Sequence, residues 1–567
     1  MRISWLVAFL VAVTSMLILG ADWPMQSGNP QRNGWARSER FIKKENVSAL
    51  KLLYTYQADN LPKGLNSLTS PIINGNLITY RGFKEMLIFG GSSDKVFSVD
   101  ADLNKTLWES RIEYRGDKPP APASTAACPG GLTAPVIMAG SSSASIHFAT
   151  LAAHNPAALG VKAAAPPSPY FPPLSQSISP LLPTTLTQLA ALYAISSDGA
   201  LHILNSSTGQ DLIPSLKFLP ANAKVTSVNI RDNVVYATTA DNCDGNLNAL
   251  YAVDLLSKDK TVASFTAKAG GFSGAGGTAL GNDGTVYVQV AFGPSDPAGK
   301  YHDTVLALTP KDLRIKDYFT PPGKPLNKKS IAAPGITPIV FSGKNKDMVV
   351  AGGRDGRLYL LDSTSLGGAD HHTPLFQTEV ITTPNKNYEG NGFRGTFSSW
   401  QNADTDTRWI YAPLSGPPNA SANLTAGDNA PSTGGIVAFK VGGPSSGPNA
   451  QRTLQPIWIS RPMALPAPVV IANGMVFALS TGESPRVAKK NGKPYSVSEW
   501  QAMSSPAILR VFDGGTGREL YSSGNAVRGY SHGSGLALAN GRVYFTTHEN
   551  TVYCFGSLQE QPQLTEQ

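Results

Sequence analysis

Three short segments of this chain set an aromatic residue between glycines with a polar or charged neighbour: Gly271-Phe-Ser-Gly, Gly392-Phe-Arg-Gly and Gly529-Tyr-Ser-His-Gly. Phe272, Phe393 and Tyr530 offer flat apolar surface. Arg394 is a fixed cation, the His532 imidazole can donate or accept a proton, and Trp400 follows Arg394 along the chain. Together they suit a small ligand pocket with an aromatic wall, one positive charge and one proton donor or acceptor. The same residues also suit packing, with aromatics filling an axis and glycines letting strands crowd there. Other chemistry is poorly represented. Asp241, Asp244, Asp296, Asp303 and Glu389 have no metal-ligand spacing, and Asp and Asn beside Gly form turns more often than sites. His371-His372 reads as an exposed loop, so no metal site is assigned. Three cysteines, Cys128, Cys243 and Cys554, form neither CxxC nor CxxCH, which removes the usual zinc and haem signatures. There is no nucleophile elbow at a strand-to-helix turn, no HExxH and no phosphate-binding loop.

Composition narrows the scaffold that must position these residues. The 567 residues are 41% hydrophobic and only 15% charged, with 55 Gly and 43 Pro. That balance is too apolar for a disordered chain and suits an all-β protein with many tight turns. The net charge of +8 is spread thinly, and Lys43-Lys44, Lys328-Lys329 and Lys489-Lys490 are the longest basic runs, so no phosphate track for nucleic acid is present. Arg2, an apolar run from Trp5 to Leu19 and the small residues Gly20 and Ala21 have the layout of a secretory signal peptide. Cleavage after Gly20 or Ala21 is expected, giving a periodic domain plan of leader 1–20, propeller 21–557 and tail 558–567. The mature protein is then periplasmic or secreted, and no further apolar stretch is long enough to span a bilayer.

Repetition is the dominant pattern. Units of about 45 to 70 residues recur, each with apolar and Val/Tyr-rich strands separated by turns. Clear copies are Gly281–Val290 (GNDGTVYVQV), Gly353–Asp362 (GRDGRLYLLD), Asn473–Ser480 (NGMVFALS) and Asn540–Thr547 (NGRVYFTT). Asn-Gly and Asp-Gly are strong hairpin signals because both residues tolerate positive φ. Eight units can be marked out, beginning near Ser70, Thr133, Lys224, Gly274, Gly335, Gly395, Pro466 and Gly533. The second is interrupted by an Ala/Pro-rich insertion, 154–189, and the eighth has only three strands. Leu50–Ala58 reads as a spare strand ahead of the first unit. The expected fold is therefore all-β: an eight-bladed β-propeller of four-stranded antiparallel blades, with the ring closed by the N-terminal strand so that no edge is left open.

The start of the expected mature chain, Asp22–Trp35 (DWPMQSGNPQRNGW), resembles the opening of bacterial quinoprotein alcohol dehydrogenase-like proteins. Parts of the tryptophan-docking repeat are also visible. They are Val99–Trp108 (VDADLNKTLW), Asn205–Gly209 (NSSTG), Phe512–Leu520 (FDGGTGREL) followed by Tyr521, and Trp458 in the last strand of the sixth unit. This resemblance implies the propeller with a tryptophan packed between blades. For catalytic relatives it further implies pyrroloquinoline quinone held in the channel with calcium or a lanthanide, a general-base carboxylate and, in many, two adjacent cysteines. No adjacent cysteine pair is present, and no carboxylate–asparagine set matches the metal ligands. The catalytic residues are left unassigned.

In such a ring the innermost strands begin at one end of the channel, here called the top. Long second-to-third loops gather at that end: Asp241–Asn248, Phe292–Asp303, about Leu414 to Thr433, and about Ser480 to Pro506. Long loops on a rigid scaffold are where binding usually resides. The glycine–aromatic segments fall at the same end, so Phe272, Phe393, Arg394, Tyr530 and His532 are expected near the mouth, with Trp400 along the sixth innermost strand. Cys128 and Cys243 belong to the top of neighbouring blades and are expected to form a disulfide, while Cys554 is expected to be buried and free. Two functions follow from different classes. The first is a non-catalytic binding or scaffold propeller whose long-loop face takes a small molecule or a cell-envelope protein. The alternative is a quinone-dependent alcohol or sugar dehydrogenase with an atypical site.

Overall fold

The computed structural model describes residues 21–79, 82–114, 125, 127–139, 191–266, 271–272, 276–290, 301–322, 336–343, 346–353, 355–382, 391–426, 434–442, 452–486, 489, 493 and 495–557. The leader 1–20, the insertion 154–189, the tail 558–567, Lys328-Lys329, Asp296 and Glu389 lie outside them.

The chain folds into an eight-bladed β-propeller of four-stranded antiparallel sheets. Blade one is representative: Ile72–Thr79 is innermost, followed outward by Gly82–Gly91, Lys95–Asp100 and Lys105–Arg111. The innermost strands of blades two to eight begin at Ile137, Lys224, Ala279, Ile339, Ser398, Val470 and Ala537. The turns read from sequence form for the stated reason. Asn473-Gly474 and Asn540-Gly541 both take positive φ at both positions (+49° and +70°, +52° and +79°), which matches the right-handed twist of the strands they join. Second strands such as Val234–Ala240 and Met475–Ser480 are buried on both faces because each blade is covered by a neighbour on either side. Their nearly unbroken apolar runs follow from that double covering.

Two tryptophans lock adjacent blades. Trp108, in the outer strand of blade one, donates from Nε1 to the Ser206 carbonyl of blade two at 2.9 Å. Trp458, 1% exposed, donates to the Gly514 carbonyl of blade seven at 3.0 Å. Each indole lies on the glycine that ends the neighbouring turn: a Cβ at Gly209 would meet Trp108 at 2.4 Å, and one at Gly517 would meet Trp458 at 2.7 Å. The Thr-Gly turns are therefore docking surfaces as well as turns, and burying so large a flat side chain against them joins the blades.

The eighth blade takes its outer strand from the other end of the chain. Lys51–Gln57 pairs antiparallel with Thr551–Gly556, from Lys51 opposite Gly556 to Gln57 opposite Thr551. The Tyr54 hydroxyl then reaches across to the Ala101 carbonyl of blade one at 2.7 Å.

The segment before that strand fills the channel. Trp23 exchanges backbone hydrogen bonds with Ile73 of blade one, and the carbonyls of Pro24, Pro30, Gln31, Asn33 and Gly34 accept from Met138, Leu280, Val340, Ser399 and Ile471. One short stretch thus pairs with innermost strands of blades one, two, four, five, six and seven. The amides on the channel side of those strands would otherwise lack partners. At its centre Arg32, fully buried, donates to the carbonyls of Gln26 (2.6 Å), Val228 (2.7 Å) and Thr278 (3.2 Å) and to Ser227 Oγ (2.9 Å). Burial pushes its guanidinium down to about 9, which still leaves it protonated at neutral pH.

Candidate functional site

The top end brings together three of the polar groups that could engage a ligand. Arg394 lies between Phe393 and Gly395 at the start of blade six, where its amide donates to the Pro413 carbonyl. Side chains alternate along this extended stretch. Phe393 therefore turns into the core against Phe397 and Phe439 (centroids at 5.8 and 6.4 Å), while Arg394 stays partly buried. Among the described residues the Arg394 guanidinium has no hydrogen-bond acceptor and no ion-pair partner. Burial pushes it down to about 10, and the charge of Glu483 opposes that shift.

Glu483 comes from the long loop of blade seven and is 5% exposed. Its Oε1 lies 2.7 Å from His532 Nδ1, at the start of blade eight. The carboxylate holds the imidazole by one nitrogen, and His532 lines the wall of a shallow hollow open to solvent, with room of about 30 Å³. That wall continues through Asn66 to Ser70 at the start of blade one and Leu132, Thr133 and Pro135 at the start of blade two. Two hydroxyls, those of Thr396 and Ser415, are buried without a hydrogen-bond partner among the described residues. Ser415 sits directly opposite Gly392 in the sheet. A cation without an acceptor and an oriented imidazole make a polar mouth suited to a small anionic ligand.

The aromatic candidates divide differently. Phe272 is fully buried in the core shared by blades three and four, with Phe265 at 6.3 Å. Tyr530 is buried and stacks on His548 at 5.0 Å; Gln501 approaches its hydroxyl without hydrogen-bond geometry. Burial raises the Tyr530 hydroxyl above its ordinary range, so it is not a proton carrier at neutral pH. Trp400 lies towards the opposite end of its strand, cross-strand from Trp409 and 3.4 Å from where a Cβ on Gly474 would stand. It does not join Arg394. Glu483 is the residue that sequence reasoning missed. The only signal for it was a carboxylate within the small-residue run Ser480-Thr-Gly-Glu-Ser that opens a long loop.

Cys128 and Cys243 are joined by a disulfide, with Cα atoms 5.5 Å apart, and tie blade two's opening loop to blade three's long loop. Cys554 is buried and free, and burial pushes its thiol up to about 12. Because the bond closes a sequence separation of 115 residues, replacing both cysteines by serine is expected to cost about 2–4 kcal/mol. Chemical denaturation of oxidised parent and variant measures this, and coincident midpoints would show that the loops hold without the bond.

Blade two contains a Ser–His–Asp line: Ser196 Oγ is 3.0 Å from His202 Nε2, and His202 Nδ1 is 3.0 Å from Asp211 Oδ2. His202 is fully buried and Ser196 is 3% exposed, with Asp198 competing for the serine hydroxyl. No substrate can approach that oxygen, so the line joins strands rather than attacking a carbonyl. Ser531, within the Gly529–Gly533 segment, likewise donates to the Thr546 carbonyl and is not a nucleophile.

No family model and no curated protein matches the chain. Solved structures do. A quinohemoprotein alcohol dehydrogenase from Pseudomonas putida HK5 is 12% identical over 95% of this chain and 81% of that one, with a TM-score of 0.51. A europium-containing methanol dehydrogenase is also 12% identical, over 94% of this chain and 98% of that one, again with a TM-score of 0.51. At such identity the likeness is one of fold: this chain shares the eight-bladed ring of quinoprotein alcohol dehydrogenases.

Proposed function

We propose that this protein is an exported, periplasmic or secreted binding propeller whose long-loop mouth takes a small anionic ligand, or an acidic group on a cell-envelope partner. The observation that carries this reading is the Arg394 guanidinium, which has no acceptor among the described residues and lies within the influence of the Glu483–His532 pair. A ligand carboxylate or phosphate supplies the acceptor that the cation lacks, and His532 adds one directed donor or acceptor beside the hollow.

The relatives in fold raise the alternative of quinone-dependent oxidation. Its requirements are a metal to hold the cofactor and a flat surface to stack on it. Among the described residues no group of three or more His, Cys, Asp or Glu side chains is placed to hold a metal. Glu483, the carboxylate at the mouth, is engaged by His532. Phe272 and Phe393 face the core and Trp400 stands towards the opposite end of its strand. These features of the described residues favour the binding reading over a metal-held quinone.

Calorimetric titration tests both readings, with inorganic phosphate, citrate and pyrroloquinoline quinone plus calcium as probes. One charge-assisted contact is worth about 1.5–3 kcal/mol, so Arg394→Ala should weaken anion binding by about 10- to 100-fold. Trp400→Ala should leave it unchanged. Equal anion affinity in parent and Arg394→Ala defeats the proposal. Submicromolar quinone binding with dye reduction, both lost in Arg394→Ala, would establish the dehydrogenase instead.

A further inference from the structure

The N-terminal segment begins in a specific contact. The Ala21 backbone N–H donates to Asn540 Oδ1 at 2.7 Å, and Asn540 Nδ2 donates back to the Ala21 carbonyl at 3.1 Å. The fit is close enough that a Cβ on Gly75 would stand 2.4 Å from that carbonyl. The same Asn540 Nδ2 also donates to Glu85 Oε2 at 2.7 Å, so a single amide group bridges the Ala21 nitrogen and the Glu85 carboxylate.

Glu85 is 6% exposed, and its counter-charge, Arg542, is shared with Asp102. Its Oε1 accepts from the Tyr544 hydroxyl at 3.0 Å. Arg542 stands 4.0 Å away and is committed to Asp102 at 2.7 Å and to the Ala101 carbonyl at 3.1 Å. Asp22, the residue after Ala21, accepts from the Gly75 amide at 2.9 Å. Burial therefore pushes the Glu85 carboxyl up to about 7 despite Arg542, Asn540 and Tyr544, with Asp102 adding to the rise. A buried acid so placed favours a cation on the far side of the bridging amide.

We infer that the chain is cut between Gly20 and Ala21 during export, and that the α-ammonium so formed docks on the Asn540–Glu85 pair and fixes the segment that fills the channel. In the cut, made on the unfolded chain by a signal peptidase, one water adds across the peptide bond. The C–N bond breaks, Gly20 keeps the oxygen as a carboxylate, and the Ala21 nitrogen takes the protons as an ammonium. The geometry selects this bond over the next one, because removing Ala21 would abolish both contacts to Asn540. Processing and folding are thereby coupled: a second cation near Glu85, beside the shared Arg542, appears only on the processed chain.

Intact mass of the exported protein should show a start at Ala21. In the folded protein the α-amine should titrate above its usual value near ~8, so that at pH 8 its acetylation by acetic anhydride is about tenfold slower than in Glu85→Gln. A second pair of proteins keeps Glu85 intact in case that variant folds poorly: the mature chain, and the same chain extended by one glycine before Ala21. The extended chain should lose stability as pH rises from about 4.5 to about 7, because the native carboxyl holds its proton where the unfolded one has released it. The mature chain should lose less over that window, because the ammonium favours the ionised carboxylate. A mature start at Asp22 or beyond, or identical pH profiles for the two chains, overturns the inference.

Discussion

Deleting residues 21–57 from the mature protein should abolish cooperative unfolding of the whole ring. Two losses coincide. The last blade loses Lys51–Gln57, leaving the Thr551–Gly556 edge unpaired and the chain ends no longer joined in one sheet. The channel also loses its filling. The amides of Ile73, Met138, Leu280, Val340, Ser399 and Ile471 all donate to carbonyls of the deleted segment. An unsatisfied buried amide costs about 1–3 kcal/mol, and water entering the opened channel would offset part of that. Even half the summed cost is comparable with the 5–15 kcal/mol by which a typical domain is stable. Circular dichroism melts and size-exclusion chromatography should show a broad transition and association through the open edge. Deleting only residues 21–46 separates the two effects, since it empties the channel but retains the strand. A full deletion that melts in one transition at the parent temperature would remove the structural role assigned to this segment.

Arg32→Met should destabilise the protein by about 3–5 kcal/mol, the range for removing one member of a buried charged network. Methionine approximates the volume but supplies no donor. The carbonyls of Gln26, Val228 and Thr278 and the Ser227 hydroxyl, held together now by one guanidinium, would each lose a partner in a site closed to solvent. Arg32→Lys should recover little, because an ammonium cannot span the same acceptors from one planar group. Urea denaturation at neutral pH provides the measurement. A midpoint for Arg32→Met equivalent to less than about 1 kcal/mol would mean that the cation is incidental to the fold, since ordinary substitutions already reach that size. The substitution also probes the mouth from below: anion affinity unchanged in a folded Arg32→Met protein would separate the structural cation from Arg394.

The blades were legible because their signals are local. A hairpin needs two residues with positive φ between two strand-forming runs, and Asn473-Gly474 and Asn540-Gly541 carry that requirement in adjacent positions. The spare strand was legible by counting, since three strands at one end and one at the other call for a fourth partner. The docking tryptophans were partly legible: Trp108 and Trp458 stand in outer strands, and the Thr-Gly turns that receive them lie in the next blades.

The site is a different kind of object. Phe393 and Arg394 are adjacent, and their chemistry alone suggests one pocket. In extended backbone neighbouring side chains point to opposite faces, so one enters the core while the other is left without an acceptor. Trp400 follows Arg394 closely in the chain, yet the strand Ser398–Asn402 carries it towards the other end of the channel. Glu483 and His532 are 49 residues apart and meet only because blades seven and eight are neighbours in a ring. Likewise Arg32, read from sequence as part of a resemblance, becomes a buried cation only when blades three and four close around it. Turn type and strand period depend on a few consecutive residues, so the blades and their number can be read from the chain alone. Which side chains share the mouth depends on strand direction, pleat and ring order acting between distant residues, and so emerges only in the folded ring.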